Sequence, residues 1–257
     1  RMSFERHATS KIKSAEDLFA IQTKGFRGEA LASIASVAQV EMKTRRHEDS
    51  IGTRIQISDS KIRLQEGCAC LPGTQISVEQ LFFSIPARRK FLKSDTVELR
   101  HMHDEFISQA LAHPEIKWVY TQGENEMYNL PAGSLKQRIL NIYGKKYVED
   151  LIALEQDTEV VQITGFIGKP ELIKKTRGEQ ILFVNRRLIK SPYLNHAIIS
   201  AYEELIAPGA YPFYVLFLQI DPAKIDINVH PTKHEIKFDD ERLIYNFLKV
   251  TVKHALG

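Results

Sequence analysis

The spacing of apolar residues changes once, near Gln39, and that change constrains the fold more than any other feature of the chain. Before it, Leu31, Ile34, Ala35 and Ala38 recur at i, i+3, i+4 and i+7, one face of a helix over residues 29–37. Ala32, Ser33, Ala35 and Ser36 give that helix a small face, which permits close packing on another element. After the change the period is two. Val40 and Met42 alternate with Glu41 and Lys43, and Ile55 and Ile57 with Arg54 and Gln56. Ile62 and Leu64 alternate with Arg63 and Gln65, and Ile76 and Val78 with Gln75 and Ser77. Polar breaks at residues 46–50 and 58–60 separate the runs, so the pattern predicts an antiparallel meander with one wet face.

The helix is opened by Thr23-Lys24-Gly25-Phe26-Arg27-Gly28-Glu29-Ala30-Leu31. Two glycines three apart let the backbone approach a ligand closely. A turn that opens a helix directs free N–H groups and the positive end of its dipole at one spot, which suits a phosphate. Taken alone, a Gly-x-x-Gly before a helix is more often a simple turn. Arg6-His7-Ala8-Thr9-Ser10-Lys11 lies upstream, dense in donors and short hydroxyls, and Ser14 with Asp17 resembles a capping box starting a helix over residues 15–21.

Downstream, Pro86 forbids a helix through it, and Arg88-Arg89-Lys90 with Lys93 sits among aromatic residues. That run is either a solvated loop between core anchors or a nucleic-acid contact. A helix over residues 95–112 and a hairpin over residues 116–130 follow. Residues 131–134 mark the expected boundary between domains 1–131 and 132–257. In the second domain a helix starts at Ser134 and closes at Gly144, with strands near residues 159–167 and 180–184. The turn Asn185-Arg186-Arg187 and Lys190 precede a helix over residues 193–205. The run 214–220 is almost continuously apolar and reads as a central strand. Residues 224–230 alternate, with Ile225, Ile227 and Val229 facing the core and Asp226, Asn228 and His230 facing away. A turn over residues 231–235, a short strand at 236–238 and a helix over 239–254 close the chain.

Hydrophobic content of 43% and charged content of 26% describe an ordinary globular protein. No apolar run is long enough to span a bilayer. The net charge of +3 is too small to imply a polyanion partner by itself. The two cysteines, Cys68 and Cys70, are separated by a single residue, and mutual pairing is not expected. P-loop and hydrolase-elbow motifs are absent, and Pro231 breaks any helix that would align His230 with His234 on a metal. Lys233 at a turn is either solvent-exposed or a point charge delivered to a phosphate.

Four blocks together resemble one family. Residues 6–12 (Arg-His-Ala-Thr-Ser-Lys-Ile), 25–31 (Gly-Phe-Arg-Gly-Glu-Ala-Leu), 86–92 (Pro-Ala-Arg-Arg-Lys-Phe-Leu) and 228–235 (Asn-Val-His-Pro-Thr-Lys-His-Glu) look like signature blocks of the MutL family of DNA mismatch-repair proteins, bacterial members above all. The resemblance spans essentially the whole chain. It implies an α+β fold: a truncated α/β sandwich of the GHKL ATPases, the group of gyrase and the histidine kinases. A second α/β domain like domain two of a small-subunit ribosomal protein follows it.

The resemblance also implies roles. Thr9, Ser10 and Lys11 fall in an ATP lid. Gly25, Phe26, Arg27, Gly28, Glu29 and Leu31 fall in the phosphate-binding turn and its helix. Gly73-Thr74 matches a motif near adenine. Lys233 matches a lysine extended to the γ-phosphate, with Asn228 supporting it. Arg186, Arg187 and Lys190 fall in a DNA-binding segment. ATP and Mg²⁺ are the implied cofactors of the full-length protein. DNA, a mismatch-recognition protein of the MutS family and a second copy of the chain are its implied partners. Its implied location is the bacterial cytoplasm, at the nucleoid. The family's general-base Glu, magnesium-binding Asn and adenine-binding Asp-x-Gly-x-Gly are not in this sequence, which implies that this stretch alone neither binds nor hydrolyses ATP. The alternative is a KH-like nucleic-acid module in which Gly25-Phe26-Arg27-Gly28 clamps a backbone without hydrolysis.

Overall fold

A computed structural model describes residues 1–12, 25, 27–226 and 236–257. They form two compact units, Arg1–Glu98 and Leu99–Gly257.

The first unit is the expected antiparallel sheet on a helix but not a meander, because its last strand returns beside the first instead of beside the third. Helix α1 (Ala30–Ala35) is followed by strands β1 (Gln39–Arg45), β2 (Gly52–Ser58), β3 (Lys61–Cys68) and β4 (Gly73–Glu79), in the antiparallel order β3-β2-β1-β4. Val40, Ile55 and Ile57 point to one face and bury with Ala35 and Ala38. Asp59 and Ser60 take positive φ in the β2–β3 turn, and the Ser60 N–H donates to the Ala35 carbonyl at 3.1 Å, tying hairpin to helix. A register irregularity at Gln56/Ile57 sets Ile62 opposite Ile57 but Leu64 opposite Gln56, so the expected Ile62/Leu64 pair does not serve one face. On the other face Glu41 Oε2 accepts from Arg54 Nη2 at 2.7 Å and from Gln56 Nε2 at 2.8 Å. Lys43 Nζ lies 3.1 Å from Glu41 Oε1. Hydrogen bonds from Gln56, Arg54 and Lys43 pull the Glu41 carboxyl down to about 2. No helix runs through Pro86; it occupies the first turn of a short one, α2 (Pro86–Arg89), where a missing N–H costs nothing.

The second unit starts within helix α3 (Asp95–Ala112). The division thus falls at Glu98/Leu99, not at the Pro131 stretch, and Arg138 supplies the reason. This side chain of helix α4 (Leu135–Tyr143) is 1% exposed. Its Nη1 donates to the Ala110 carbonyl at 3.0 Å. Its Nη2 donates to the carbonyls of Pro114, Ile116 and Pro131 at 3.0, 2.7 and 2.9 Å. One guanidinium therefore binds the end of α3 and both ends of the hairpin β5 (Trp118–Gln122) and β6 (Asn125–Leu130) to the body that follows.

That body is a five-stranded sheet of order β11-β10-β13-β8-β7. Its strands are β7 (Leu151–Asp157), β8 (Gln162–Gly168), β10 (Gln180–Val184), β11 (Arg187–Ile189) and β13 (Tyr214–Gln219). Only β10 and β13 of these run parallel. Short pairs β9 (Ile173–Lys174) with β12 (Tyr211–Pro212) and β14 (Ile225–Asp226) with β15 (Lys237–Phe238) complete the described strands. Helices α5 (Pro192–Ala201) and α6 (Glu241–Leu256) cover one face through Leu194, Ile198, Leu248 and Val252 against Leu182, Val184, Leu216 and Leu218. Ile107, Leu111, Ile139 and Tyr147 cover the other against Ile181, Phe183 and Val215. Burial on both faces explains the unbroken apolar run of β13. The expected helix over residues 15–21 and most of the strand at 224–230 lie outside the described residues.

Two outcomes test this reading. Replacing Arg138 with Met strands carbonyls at a buried junction, and is expected to cost on the order of 3 kcal/mol in urea unfolding; a loss below about 1 kcal/mol would show that packing alone holds the junction. Glu41→Gln addresses charge. The folded carboxyl sits at about 2 against an ordinary value of 4.5, so its contribution is complete above 4.5 and is lost as pH falls toward 2. The variant should unfold more readily than the parent at neutral pH, with a gap that closes on acidification; a gap independent of pH would assign the effect to shape.

Candidate functional site

In the first unit the segment before the glycine turn folds against it. Gly28 has φ +64, and a Cβ built on it would lie 2.4 Å from the Ala8 carbonyl oxygen. Only glycine allows this approach, and it sets Thr9 beside Arg27. His7, Thr9, Ile12, Arg27 and Glu29 line an open cavity of about 490 Å³. His7 Nδ1 lies 3.4 Å from Glu29 Oε1, and Thr9 Oγ1 accepts from the Lys11 N–H at 3.1 Å.

Of the residues expected here, Thr9, Arg27 and Glu29 line the cavity and Gly28 forms its closest backbone contact. Ser10 and Lys11 are exposed beside it, Gly25 is exposed, and Leu31 is half-buried in α1. Thr74 is placed separately: its hydroxyl lies 2.8 Å from Thr44 Oγ1, at the start of β4. Phe26, Asn228 and Lys233 lie outside the described residues. Helix α1 is six residues long rather than the expected 29–37, and its N-cap Glu29 makes no side-chain capping bond. A helix that short contributes little aligned dipole, so side chains and the glycine-permitted approach define the cavity.

The basic run of the first unit is also resolved by packing. Phe91 is 81% exposed, so it is no core anchor, and Arg88, Arg89 and Lys90 are exposed with it.

In the second unit the expected cationic turn is a hairpin. Asn185 and Arg186 both have positive φ, 49 and 62, between β10 and β11, the backbone of a two-residue type I′ turn. Asn185 tolerates this conformation, and its side chain fixes the turn: Nδ2 donates to the Ile220 carbonyl and Oδ1 accepts from the Ile220 N–H, at 2.8 and 2.9 Å. Arg186 does not favour that conformation, since glycine is the residue such a position selects. Its Nη1 donates to Glu115 Oε1 at 2.7 Å and lies 3.4 Å from His113 Nδ1. Burial opposes ionisation of Glu115, but its own backbone N–H, His113 and Arg186 outweigh that and hold the carboxyl below its ordinary value. Arg187 is half-buried, and desolvation pushes its guanidinium down. Lys190 is exposed. The three expected cations thus differ: two reach solvent, and one of those is engaged by Glu115, which no motif singled out. Nothing in the sequence linked Glu115 to Arg186, because their pairing depends on the placement of the α3–β5 connection.

Among the described residues no group of three or more His, Cys, Asp or Glu side chains could hold a metal ion, and no helix is long and apolar enough to cross a membrane.

A family profile described as "DNA mismatch repair protein, C-terminal domain" matches residues 139–257. A DNA mismatch repair protein MutL of Christiangramia forsetii is 56% identical over all of this chain, which spans 42% of that relative's length. Among solved structures, the N-terminal domain of a DNA repair protein superposes with a TM-score of 0.78 at 21% identity, over 92% of this chain and 77% of that one. The Aquifex aeolicus MutL ATPase domain complexed with ADP gives 0.62 at 24% identity, over 82% and 76%. These structures share the mixed α/β fold of this chain. The KH-like alternative finds no support: its turn lies here on a four-stranded antiparallel unit within a mismatch-repair relative's sequence. The chain spans about two-fifths of the length of the curated relatives it matches, and over its whole extent it belongs to the MutL family of DNA mismatch-repair proteins.

Proposed function

We propose that this chain is part of an ATP-binding and ATP-hydrolysing switch of DNA mismatch repair, contributing the segment over the nucleotide's phosphates and a DNA-binding hairpin. The observation that carries the reading is the approach of Gly28 to Ala8, which gathers Thr9 and Arg27 on one cavity. A hydroxyl and a guanidinium facing one open space suit phosphate oxygens. ATP, with Mg²⁺, supplies the transferable phosphoryl group. Thr9, Ser10 and Lys11 hold it from one side. The backbone of Gly25, Phe26 and Gly28 and the Arg27 charge hold it from the other, with Glu29 and Leu31 anchoring the turn. Thr74 lies toward the base. Lys233 reaches the terminal phosphate with support from Asn228, an interaction a diphosphate cannot offer. No residue is assigned to Mg²⁺, because no described cluster has the ligands for it. The switch acts as a homodimer on DNA in the bacterial cytoplasm, downstream of a mismatch-recognition protein of the MutS family.

Nucleotide binding is tested in a chain extended to the length of its relatives. Gly28→Ala forces Ala8 away and should weaken binding of a non-hydrolysable ATP analogue about tenfold or more. Lys233→Ala should lower phosphate release while leaving ADP affinity near the parent's. Unchanged analogue affinity in the first variant, or abolished ADP binding in the second, would remove the corresponding role.

DNA binding is tested by salt titration of this chain. Arg186→Gly relaxes the strained turn and removes a cation. It should therefore keep or raise stability while flattening the log–log salt dependence by about 0.9 for each phosphate no longer neutralised. Glu115→Gln frees Arg186 and should change affinity and slope in the opposite sense. Identical titrations for both variants and the parent would exclude the hairpin from the DNA surface.

A further inference from the structure

Residues two positions apart on a strand share a face, and the structure brings Cys68 and Cys70 together, against the expectation that they would not pair. Strand β3 ends at Cys68, and Cys70 lies just beyond it. Cys68 sits directly opposite Gly52 of β2. Opposed residues of an antiparallel pair share a face. The Cys70 Sγ lies 2.4 Å from the point that a Cβ on Gly52 would occupy. Its thiol thus fills the place of the side chain that Gly52 lacks, on the face of Cys68, and the two thiols are within hydrogen-bonding reach of each other. Both are free and half-buried. Burial and the neighbouring Cys70 push the Cys68 thiol up, while Lys43 and Arg54 on the same face oppose that shift.

Two thiols held together, both reachable, are arranged for a two-electron exchange. We propose that Cys68 and Cys70 form a dithiol that closes to an intramolecular disulfide by exchange with a small-molecule disulfide of the glutathione class. In the first step one thiolate attacks a sulfur of the small disulfide; a protein–glutathione S–S bond forms, the original S–S bond breaks, and glutathione thiolate leaves. In the second step the other cysteine attacks the protein-side sulfur of that bond and expels the second thiolate. The two cysteine protons end on the two released thiols. The protein has given up two electrons and the small disulfide has gained them. Because burial keeps Cys68 protonated, it is the later nucleophile, and Cys70 carries the mixed disulfide. The closed ring would lie on the approach to Gly73, whose carbonyl accepts from Thr44 Oγ1 at 3.2 Å, so its formation would be felt at the turn before Thr74.

The test is incubation of the 257-residue chain with glutathione disulfide, followed by alkylation and mass spectrometry. The expected product has no alkylated cysteine, no glutathione adduct, and a mass lower by two hydrogen atoms. Cys68→Ser should accumulate the adduct on Cys70, because the closing nucleophile is gone. Gly52→Ala displaces the Cys70 thiol and should slow closure severalfold, with urea unfolding confirming that the variant folds. Free thiols after incubation, adducts that persist on the parent, or closure no faster in the folded chain than in urea would each overturn the proposal.

Discussion

The second unit depends on a buried positive charge that is met by main-chain carbonyls. Arg138 is buried, and its hydrogen bonds go to four main-chain carbonyls where a helix ends and a hairpin begins and ends, of which that of Pro114 also accepts from the Gly133 N–H. Carbonyl oxygens at such a junction have no ladder partner, and removing them from water unpaired costs more than any one hydrogen bond returns. A planar, permanently charged fork satisfies several at once, which an amide or hydroxyl of similar size does not. The aromatic cluster of Phe106, Tyr120 and Tyr128 then packs over a connection whose backbone is already fixed, with Phe106 and Tyr120 stacked at 5.0 Å.

Much of this was legible in the residues. The switch of period at Gln39 located the antiparallel strands, though not the return of the fourth to the first, Ser134 and Gly144 bounded a helix, and the apolar run of β13 marked a central strand. Those are local signals, read from neighbours along the chain. Features set by distant partners were not. Arg138 is one cation among many until its four carbonyls converge, and so the boundary was read at a proline rather than well upstream of it, at Glu98/Leu99. Strands β7 and β11 carry weak alternation and owe their place to the sheet that recruits them.

The candidate site divides the same way. The four signature blocks nominate residues for it, and the relatives confirm the family that those blocks indicate. The structure adds how two of those blocks meet: Ala8 reaches the turn because position 28 has no side chain. It also separates cations that stand side by side in the sequence. Arg186 and Arg187 are adjacent, but one extends from a strained turn toward an acid and the other enters a strand and half-buries.

The parallel pairing of β10 with β13 bears on how the chain acquires its fold. The two strands pair from Gln180 with Tyr214 to Val184 with Leu218, and helix α5 lies on the connection between them. A hairpin can form from a few neighbouring residues, whereas this pair must close a long excursion before its first hydrogen bond returns anything. Strand β13 also provides the partner for β8. The antiparallel β7–β8 ribbon therefore waits, without its inner neighbour, until the crossover has been made. Folding of the second unit therefore turns on that crossover, as the first unit's turns on the return of β4 to β1, Gln39 with Glu79, while the β1–β2 and β2–β3 ribbons pair strands already close in the chain.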